Sequence, residues 1–295
     1  MGDRREIVIS TDTNSDLPFS FIDEHEINLL ALGYTMDGVT RFTDDRTIDK
    51  HEFYELMRAG KMPTTMQVNP EQTETSFEPI AAAGKDILHI AFSSGLSGSY
   101  NSAEMGAVEV RARHPEAKII VIDTLAASLG LGLVVHYAVK MRDAGKTIDE
   151  IAAWLEKHKQ NFVQYFTVED LNHLYRGGRV SKTTALVGTM LGIKPVMCVN
   201  EEGKLVPMGK VRGRKQSLID IVERMGAKMQ GFPSDTVFIS HGDCLEDAEF
   251  CADEIKKKYQ IKNFVFNFVA PSIGAHSGPG TIAIFFFGCD RHEGK

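Results

Sequence analysis

The sequence predicts an α/β protein of two domains, a parallel sheet covered by helices followed by an α/β domain with a mixed sheet. Three observations lead there. The chain has 295 residues, 43% hydrophobic and 25% charged, enough for two sizeable cores. Its first half alternates apolar runs of strand length with helical patterns. After about residue 160 that rhythm gives way to a hairpin signal and strands spaced around two amphipathic helices.

In chain order, Ile7 to Thr11, Ile87 to Phe92 and Lys118 to Ile122 read as strands apolar on both faces, as a sheet sandwiched between helices requires. Helical spacing marks Lys50 to Ala59, Tyr100 to Arg113 and Ser128 to Arg142. It continues over Thr147 to Lys159, where Ile148, Ile151, Ala152 and Leu155 share a face. Asn161 to Thr167 is a further strand. Lys194 to Asn200 and Lys204 to Pro207 flank Glu201-Glu202-Gly203 as a hairpin. Strands at Thr236 to Ser240, Asn263 to Phe268 and Thr281 to Phe287 surround helices at Arg214 to Met229 and Leu245 to Tyr259. The domains are expected at 1–160 and 161–295, with the 61–75 loop reaching toward the second.

Charge and cysteine content narrow the function. Lys and Arg total 33 against 40 Asp and Glu, a net charge of -7, which argues against a nucleic-acid or anionic-membrane partner. The start, Met1-Gly2-Asp3-Arg4-Arg5-Glu6, lacks a signal-peptide apolar stretch, and no segment reaches the roughly 18 apolar residues of a membrane span. A cytoplasmic protein without stable membrane insertion is expected. Cys198, Cys244, Cys251 and Cys289 form no CxxC pair, so reduced thiols are expected. Asp12, Asp16, Asp123 and Asp243 are dispersed, and no HExxH or EF-hand spacing exists; no metal is expected.

Phe92-Ser93-Ser94-Gly95-Leu96-Ser97-Gly98-Ser99-Tyr100-Asn101-Ser102-Ala103 places hydroxyls and glycines between a strand and a helix. It reads as a seat for a carboxylate or phosphate, with a tight turn and helix cap as the structural alternative. It has neither the GxSxG spacing of a nucleophile elbow nor the lysine of a P-loop. Lys61-Met62-Pro63-Thr64-Thr65-Met66-Gln67-Val68-Asn69-Pro70 offers hydroxyl and amide donors on a proline-restricted backbone, or is a polar linker before a helix starting near Glu71.

Leu171-Asn172-His173-Leu174-Tyr175-Arg176-Gly177-Gly178-Arg179-Val180-Ser181 ends a short helix at two glycines. Arg179 could then pair with a carboxylate or hold an acidic neighbour. Ala270-Pro271-Ser272-Ile273-Gly274-Ala275-His276-Ser277-Gly278-Pro279-Gly280 reads as a rigid loop carrying His276, a donor or acid–base group near neutral pH. His241 equally suits a satisfied strand end, and Cys244 a helix cap. The basic run Lys210-Val211-Arg212-Gly213-Arg214-Lys215 is either a solvated face or a docking patch for an acidic or nucleotide-bearing partner.

Taken together, Ile7-Val8-Ile9-Ser10-Thr11-Asp12, Pro63-Thr64-Thr65-Met66-Gln67, the Ser93 run, Leu174-Tyr175-Arg176-Gly177-Gly178-Arg179-Val180 and Ile273-Gly274-Ala275-His276-Ser277-Gly278-Pro279-Gly280 resemble the DegV family of bacterial fatty-acid-binding proteins, in the family's order and over nearly the whole chain. The resemblance implies a Rossmann-like domain packed against a mixed-sheet α/β domain, with a long-chain fatty acid between them. It further implies a carrier, not an enzyme, that presents the acyl carboxylate to a separate ATP-dependent fatty-acid kinase serving phospholipid metabolism. Carried to this chain, the ligand-binding positions are Thr64, Thr65, Ser93, Ser94, Gly95, Arg179 and His276, with no catalytic residue and no cofactor. The family's Thr-Ser-Gln is Thr65-Met66-Gln67 here, which removes one hydroxyl and adds apolar surface; its Thr is Ser277. The rival functions are a self-contained Ser or Cys acyl hydrolase and a regulatory interaction protein without a lipid.

Overall fold

The computed structural model describes residues 5–187, 192–232 and 234–291. Residues 1–4, part of the start expected above not to be a signal peptide, lie outside them. The first half runs β1 (Ile7–Asp12), a 3-10 turn (Thr13–Ser15), α1 (Phe19–Glu24), β2 (Asn28–Leu30), β3 (Gly33–Met36), β4 (Val39–Phe42), α2 (Lys50–Arg58), β5 (Thr64–Met66), α3 (Pro70–Ala82), β6 (Asp86–Ala91), α4 (Ser99–Arg113), β7 (Ile119–Asp123), α5 (Leu129–Asp143) and α6 (Ile148–His158). A four-stranded sheet in the order β2-β1-β6-β7 is parallel throughout, with Ile9 beside Leu88 and Leu88 beside Ile120. β3 pairs antiparallel with β4 and β5 in a separate three-stranded sheet.

The second half runs β8 (Phe162–Thr167), α7 (Leu171–Arg176), α8 (Lys182–Val187), β9 (Ile193–Val199), β10 (Leu205–Arg212), α9 (Arg214–Met229), β11 (Thr236–His241), α10 (Leu245–Lys258), β12 (Asn263–Phe268), α11 (Pro271–Ser277) and β13 (Ile282–Phe287). Its six strands lie in the order β10-β9-β8-β13-β11-β12, with β11 and β12 parallel and the other pairs antiparallel, so the sheet is mixed.

One helix joins the two halves. α5 is buried from Leu129 to Val135 and touches β1 and β6 of the parallel sheet as well as β8, β11 and β13 of the mixed sheet. Its glycines permit that approach: a Cβ on Gly130 would meet Gln164 at 2.6 Å and Phe285 at 2.8 Å, and one on Gly132 would meet the Ser15 carbonyl at 2.7 Å. Ile9, Leu88 and Ile122 therefore share a core with Phe162, Phe166 and Phe285. The outer faces are covered by α3 and α4 on one side and by α9 and α10 on the other. Capping boxes at Asn69–Gln72 and Thr147–Glu150 start α3 and α6 by satisfying amides that have no partner within the helix.

The long elements fall where their periodicity places them, and the short ones depart from expectation. The segment read as a polar linker contains β5, and β2, β3 and β4 were not anticipated. Three or four residues show too little alternation to be recognised, and the strands gain their partners only from the tertiary fold. The loop expected at Ala270 to Gly280 contains α11: Pro271 occupies its first turn, where a missing N–H costs nothing. β10 extends past Pro207 to Arg212 through an irregularity between Pro207 and Gly209.

Candidate functional site

A cavity of about 420 Å³ opens where the β5 strand, the loop before α4, α7 and α11 converge, and it runs inward between the sheets. That volume lies within the range of small-molecule sites. Phe92, Leu96, Phe166, Leu174, Leu205 and Phe285 are among its apolar walls.

Thr65, Arg179 and His276 meet at this cavity. Strand alternation turns Thr65 inward and leaves Thr64 exposed. α11 is fixed at its start, because Ala270 N–H donates to Asp16 Oδ1 at 3.0 Å and the Tyr54 hydroxyl donates to the Val269 carbonyl at 2.8 Å. This brings His276 Nε2 to 2.8 Å from Thr65 Oγ1. The imidazole packs so closely on Gly177 that a Cβ there would fall on its ring. Burial, aided by the charge of Arg179, pushes the His276 pKa down to about 4, so the ring is neutral at pH 7. α7 ends at Gly177 and Gly178, the latter at φ +73°, and the turn delivers Arg179. Its guanidinium donates from Nε to the Leu96 carbonyl at 3.2 Å and from Nη1 to the Gly177 carbonyl.

The Ser93 run is placed differently. Ser93 is fully buried, and its hydroxyl donates to the Gly203 carbonyl at 2.8 Å, across to the β9–β10 turn. A Cβ on Gly95 would strike the Glu202 carbonyl at 2.5 Å. Ser94 is exposed, its amide donating to Asp123 Oδ1 at 3.1 Å. Two backbone amides at the start of α4 have protein partners: Gly98 N–H donates to Gln67 Oε1 at 3.0 Å and Ser99 N–H to Ser97 Oγ at 3.2 Å. Thr64, Ser93, Ser94 and Gly95 thus lie outside the cavity lining, and this run clamps the two halves together. Ser97 is its hydroxyl that reaches the cavity.

Sequence reasoning missed an inner polar wall of Asn14, Ser128, Gln164, Ser240, Ser272 and Ser277. Behind it, Asp16 accepts from the Ser128 hydroxyl, and Ser128 Oγ lies 2.9 Å from Ser240 Oγ. Asp12 accepts from Asn14 N–H at 3.0 Å and Phe92 N–H at 2.9 Å, tying β1 to the loop after β6. Burial raises both carboxyls to about 7. The polar strand end Thr11-Asp12 was the available signal. Distant Ser128, Ser240 and Ser272 carry none until the fold gathers them.

Cys244 and His241 do not form a nucleophile pair. The Cys244 thiol donates to the Thr281 carbonyl at 3.4 Å, and burial pushes its pKa up to about 12. His241 Nδ1 accepts the Cys244 backbone N–H at 3.3 Å. His51, Glu55 and Asp243 place candidate metal-ligand atoms within 4.8 Å of one another, a grouping the dispersed aspartates did not signal. The Arg58 guanidinium already bonds to both acidic side chains, so the group is an ion-pair bridge from α2 to the loop after β11. Arg214 of the basic run pairs with Asp247 and Glu169. Among the described residues, no helix is long and apolar enough to cross a membrane.

Residues 6–288 match the family model for DegV, a family of uncharacterised proteins. A DegV domain-containing protein of Clostridium perfringens is 42% identical over 286 residues, covering 96% of this chain and 98% of that one. Another, of Lactococcus lactis, is 37% identical over 279 residues, covering 94% and 96%. Among solved structures, a fatty-acid-binding DegV family protein from Thermus thermophilus superposes with a TM-score of 0.85 at 27% identity, over 96% of this chain and 99% of that one. DegV of Bacillus subtilis, a fatty-acid-binding protein, gives 0.82 at 26%, over 96% and 99%. The match in sequence and fold runs through both sheets and the cavity between them, and the protein belongs to the DegV family.

Proposed function

We propose that this protein is a carrier that holds a long-chain fatty acid in the cavity between its sheets and presents the carboxylate to a separate ATP-dependent kinase. The observation that carries this reading is the joining, in one cavity, of apolar walls with a mouth bearing Arg179, Thr65 and neutral His276. A chain of about 16 to 18 carbons gains ~0.8 kcal/mol for each CH₂ withdrawn from water, provided an enclosed apolar wall receives it. Phe166, Leu174 and Phe285, each less than a tenth exposed, are such a wall. The carboxylate suits the mouth, where Arg179 supplies the positive charge and hydroxyls add donors without charge.

The fatty-acid-binding relatives from Thermus thermophilus and Bacillus subtilis support the ligand class. The carrier role, as opposed to hydrolysis, is supported by the raised Cys244 thiol and by the structural duty of Ser93. Partly exposed Arg179 and Gln67 leave the mouth reachable by a kinase. Four cysteines held outside any disulfide fit a reducing, cytoplasmic setting.

Native mass spectrometry of protein purified from its host, followed by solvent extraction, tests the reading. One acyl chain per protein, released as a free fatty acid, is the expected result. An empty protein that also fails to transfer added fatty acid to acyl phosphate in the presence of kinase and ATP would overturn it.

A further inference from the structure

The loop before α4 is held at both ends. At its start, Leu96 N–H and Ser97 N–H both donate to the Ser93 carbonyl, each at 3.1 Å. At its end, α4 begins at Gly98, which has no side chain to cap the helix. Gln67, the residue after β5, does so instead: Gly98 N–H donates to its Oε1 at 3.0 Å, and its Nε2 donates to Ser102 Oγ at 3.3 Å. A Cβ on Gly98 would lie 2.5 Å from Gln67 Oε1 and 2.7 Å from Nε2, so the amide rests directly on the glycine. Gly98 has φ −75°, an angle open to any residue, and the contact is what requires glycine there.

Between those anchors lies the acceptor that holds the mouth's charge. Arg179 Nε donates to the carbonyl of Leu96, two residues before Gly98, at 3.2 Å, and Nη1 donates to the Gly177 carbonyl. Two bonds from different elements fix the plane of the guanidinium, and both acceptors are neutral, so its full charge remains for an anion. Of the two acceptors, Leu96 is the one from the first half of the chain. β5 carries Thr65, and Gln67 follows two positions later, so the contact of Gln67 with Gly98 ties the strand bearing the hydroxyl to the loop bearing the arginine's acceptor. Thr65, Gln67, Leu96 and Arg179 all line the cavity.

We propose that Gln67 is a positioning residue for the carboxylate: by holding Gly98 it sets the Leu96 carbonyl, and through it the Arg179 guanidinium, at a fixed distance from Thr65. The inference rests on the carboxylate lying at the mouth. A helix cap alone would make Gln67 a stability device, indifferent to what the ligand carries at its end. Positioning of Arg179 instead makes Gln67 matter for a charged head group and not for the hydrocarbon behind it, since charge-assisted bonds weaken as donor and acceptor are misaligned.

The test titrates the delipidated protein with palmitate and with cetyl alcohol, an uncharged ligand of equal chain length, both below micellar concentrations, with circular dichroism to establish that each variant is folded. Gln67→Ala is expected to weaken palmitate binding about fivefold and cetyl alcohol binding by less than about twofold. Gly98→Ala, which leaves Gln67 in the chain and pushes its amide away, should repeat that selective loss. In an Arg179→Ala background, Gln67→Ala should change palmitate affinity by less than about twofold, because the residue it acts through is gone. Equal losses for both ligands, unchanged palmitate binding, a loss that Gly98→Ala does not share, or one that persists in full beside Arg179→Ala each overturn the inference and leave acyl binding standing. Failure of wild type to bind either ligand overturns acyl binding, and the positioning role with it.

Discussion

Thr65 Oγ1 and His276 Nε2 lie 2.8 Å apart although 211 positions separate them in the chain. Thr65 comes from a short strand of the first half and His276 from a two-turn helix of the second, so their contact exists only when the halves are docked. Asp16 helps set that docking, accepting from Ala270 N–H one residue before the helix begins. Mouth geometry and inter-domain packing are therefore one structural fact.

Thr65→Ala removes one hydroxyl from the mouth and should weaken fatty-acid binding by about 1 kcal/mol, roughly fivefold. Arg179→Ala removes the charge and should cost more, on the order of 2 kcal/mol. Isothermal titration with a single fatty acid measures both. Equal affinities for wild type and Arg179→Ala would remove Arg179 from the head-group site.

Gly177→Ala keeps an ordinary helical backbone angle, since Gly177 has φ −71°, yet puts a methyl group onto the His276 ring. The ring must move away from Thr65. We expect ligand affinity to fall at least as far as in Thr65→Ala, with a stability loss of about 1–3 kcal/mol from overpacking. A variant with wild-type affinity and melting temperature would show that the ring has room the structure does not display.

Much of the fold was legible because its long elements carry their own periodicity. β1, β6 and β7 are apolar on both faces, and α5 continues an apolar pattern with glycines where two sheets press on it. The three-stranded sheet was not legible, since strands of three or four residues draw their stability from partners far along the chain. Arg179 and His276 stood out as polar residues in glycine-rich settings. Ser93 and Gly95 stood out equally and serve another end: a hydroxyl and glycine run suits an anion seat and an inter-domain clamp alike, and the β9–β10 turn that occupies it cannot be read from the run itself. The inner serines were invisible because single serines on separate elements have no pattern.

Burial raises the Asp16 carboxyl from 3.8 to about 7. Between those values the folded chain holds a proton that the unfolded chain has lost, so this group's contribution to stability is full below pH 4 and is lost as pH rises toward 7. Asp16→Asn keeps an acceptor for Ala270 N–H and cannot ionise. Denaturant unfolding should show the variant gaining on wild type by on the order of 1 kcal/mol per pH unit between pH 4.5 and 6.5. A stability difference independent of pH would mean that Asp16 titrates normally.

The Cys244 thiol, raised to about 12, should resist alkylation at pH 8, where a free cysteine is partly ionised. Peptide mapping after iodoacetamide treatment of the folded protein should find Cys244 largely unmodified, and Cys244→Ala should bind fatty acid as wild type does. Rapid modification, or loss of function in the variant, would return a nucleophilic role to consideration.

The central claim is that one cavity, lined by hydrocarbon and opening on donors, holds a single acyl chain. Equilibrium titration of delipidated wild type against stearate, alongside Ala283→Phe, which fills the cavity from β13, tests it most directly. The account predicts saturation at one ligand per protein in wild type and at least tenfold weaker binding in the filled variant, with both proteins folded by circular dichroism. Stearate binding that never saturates, or that the filled cavity leaves unchanged, would contradict it.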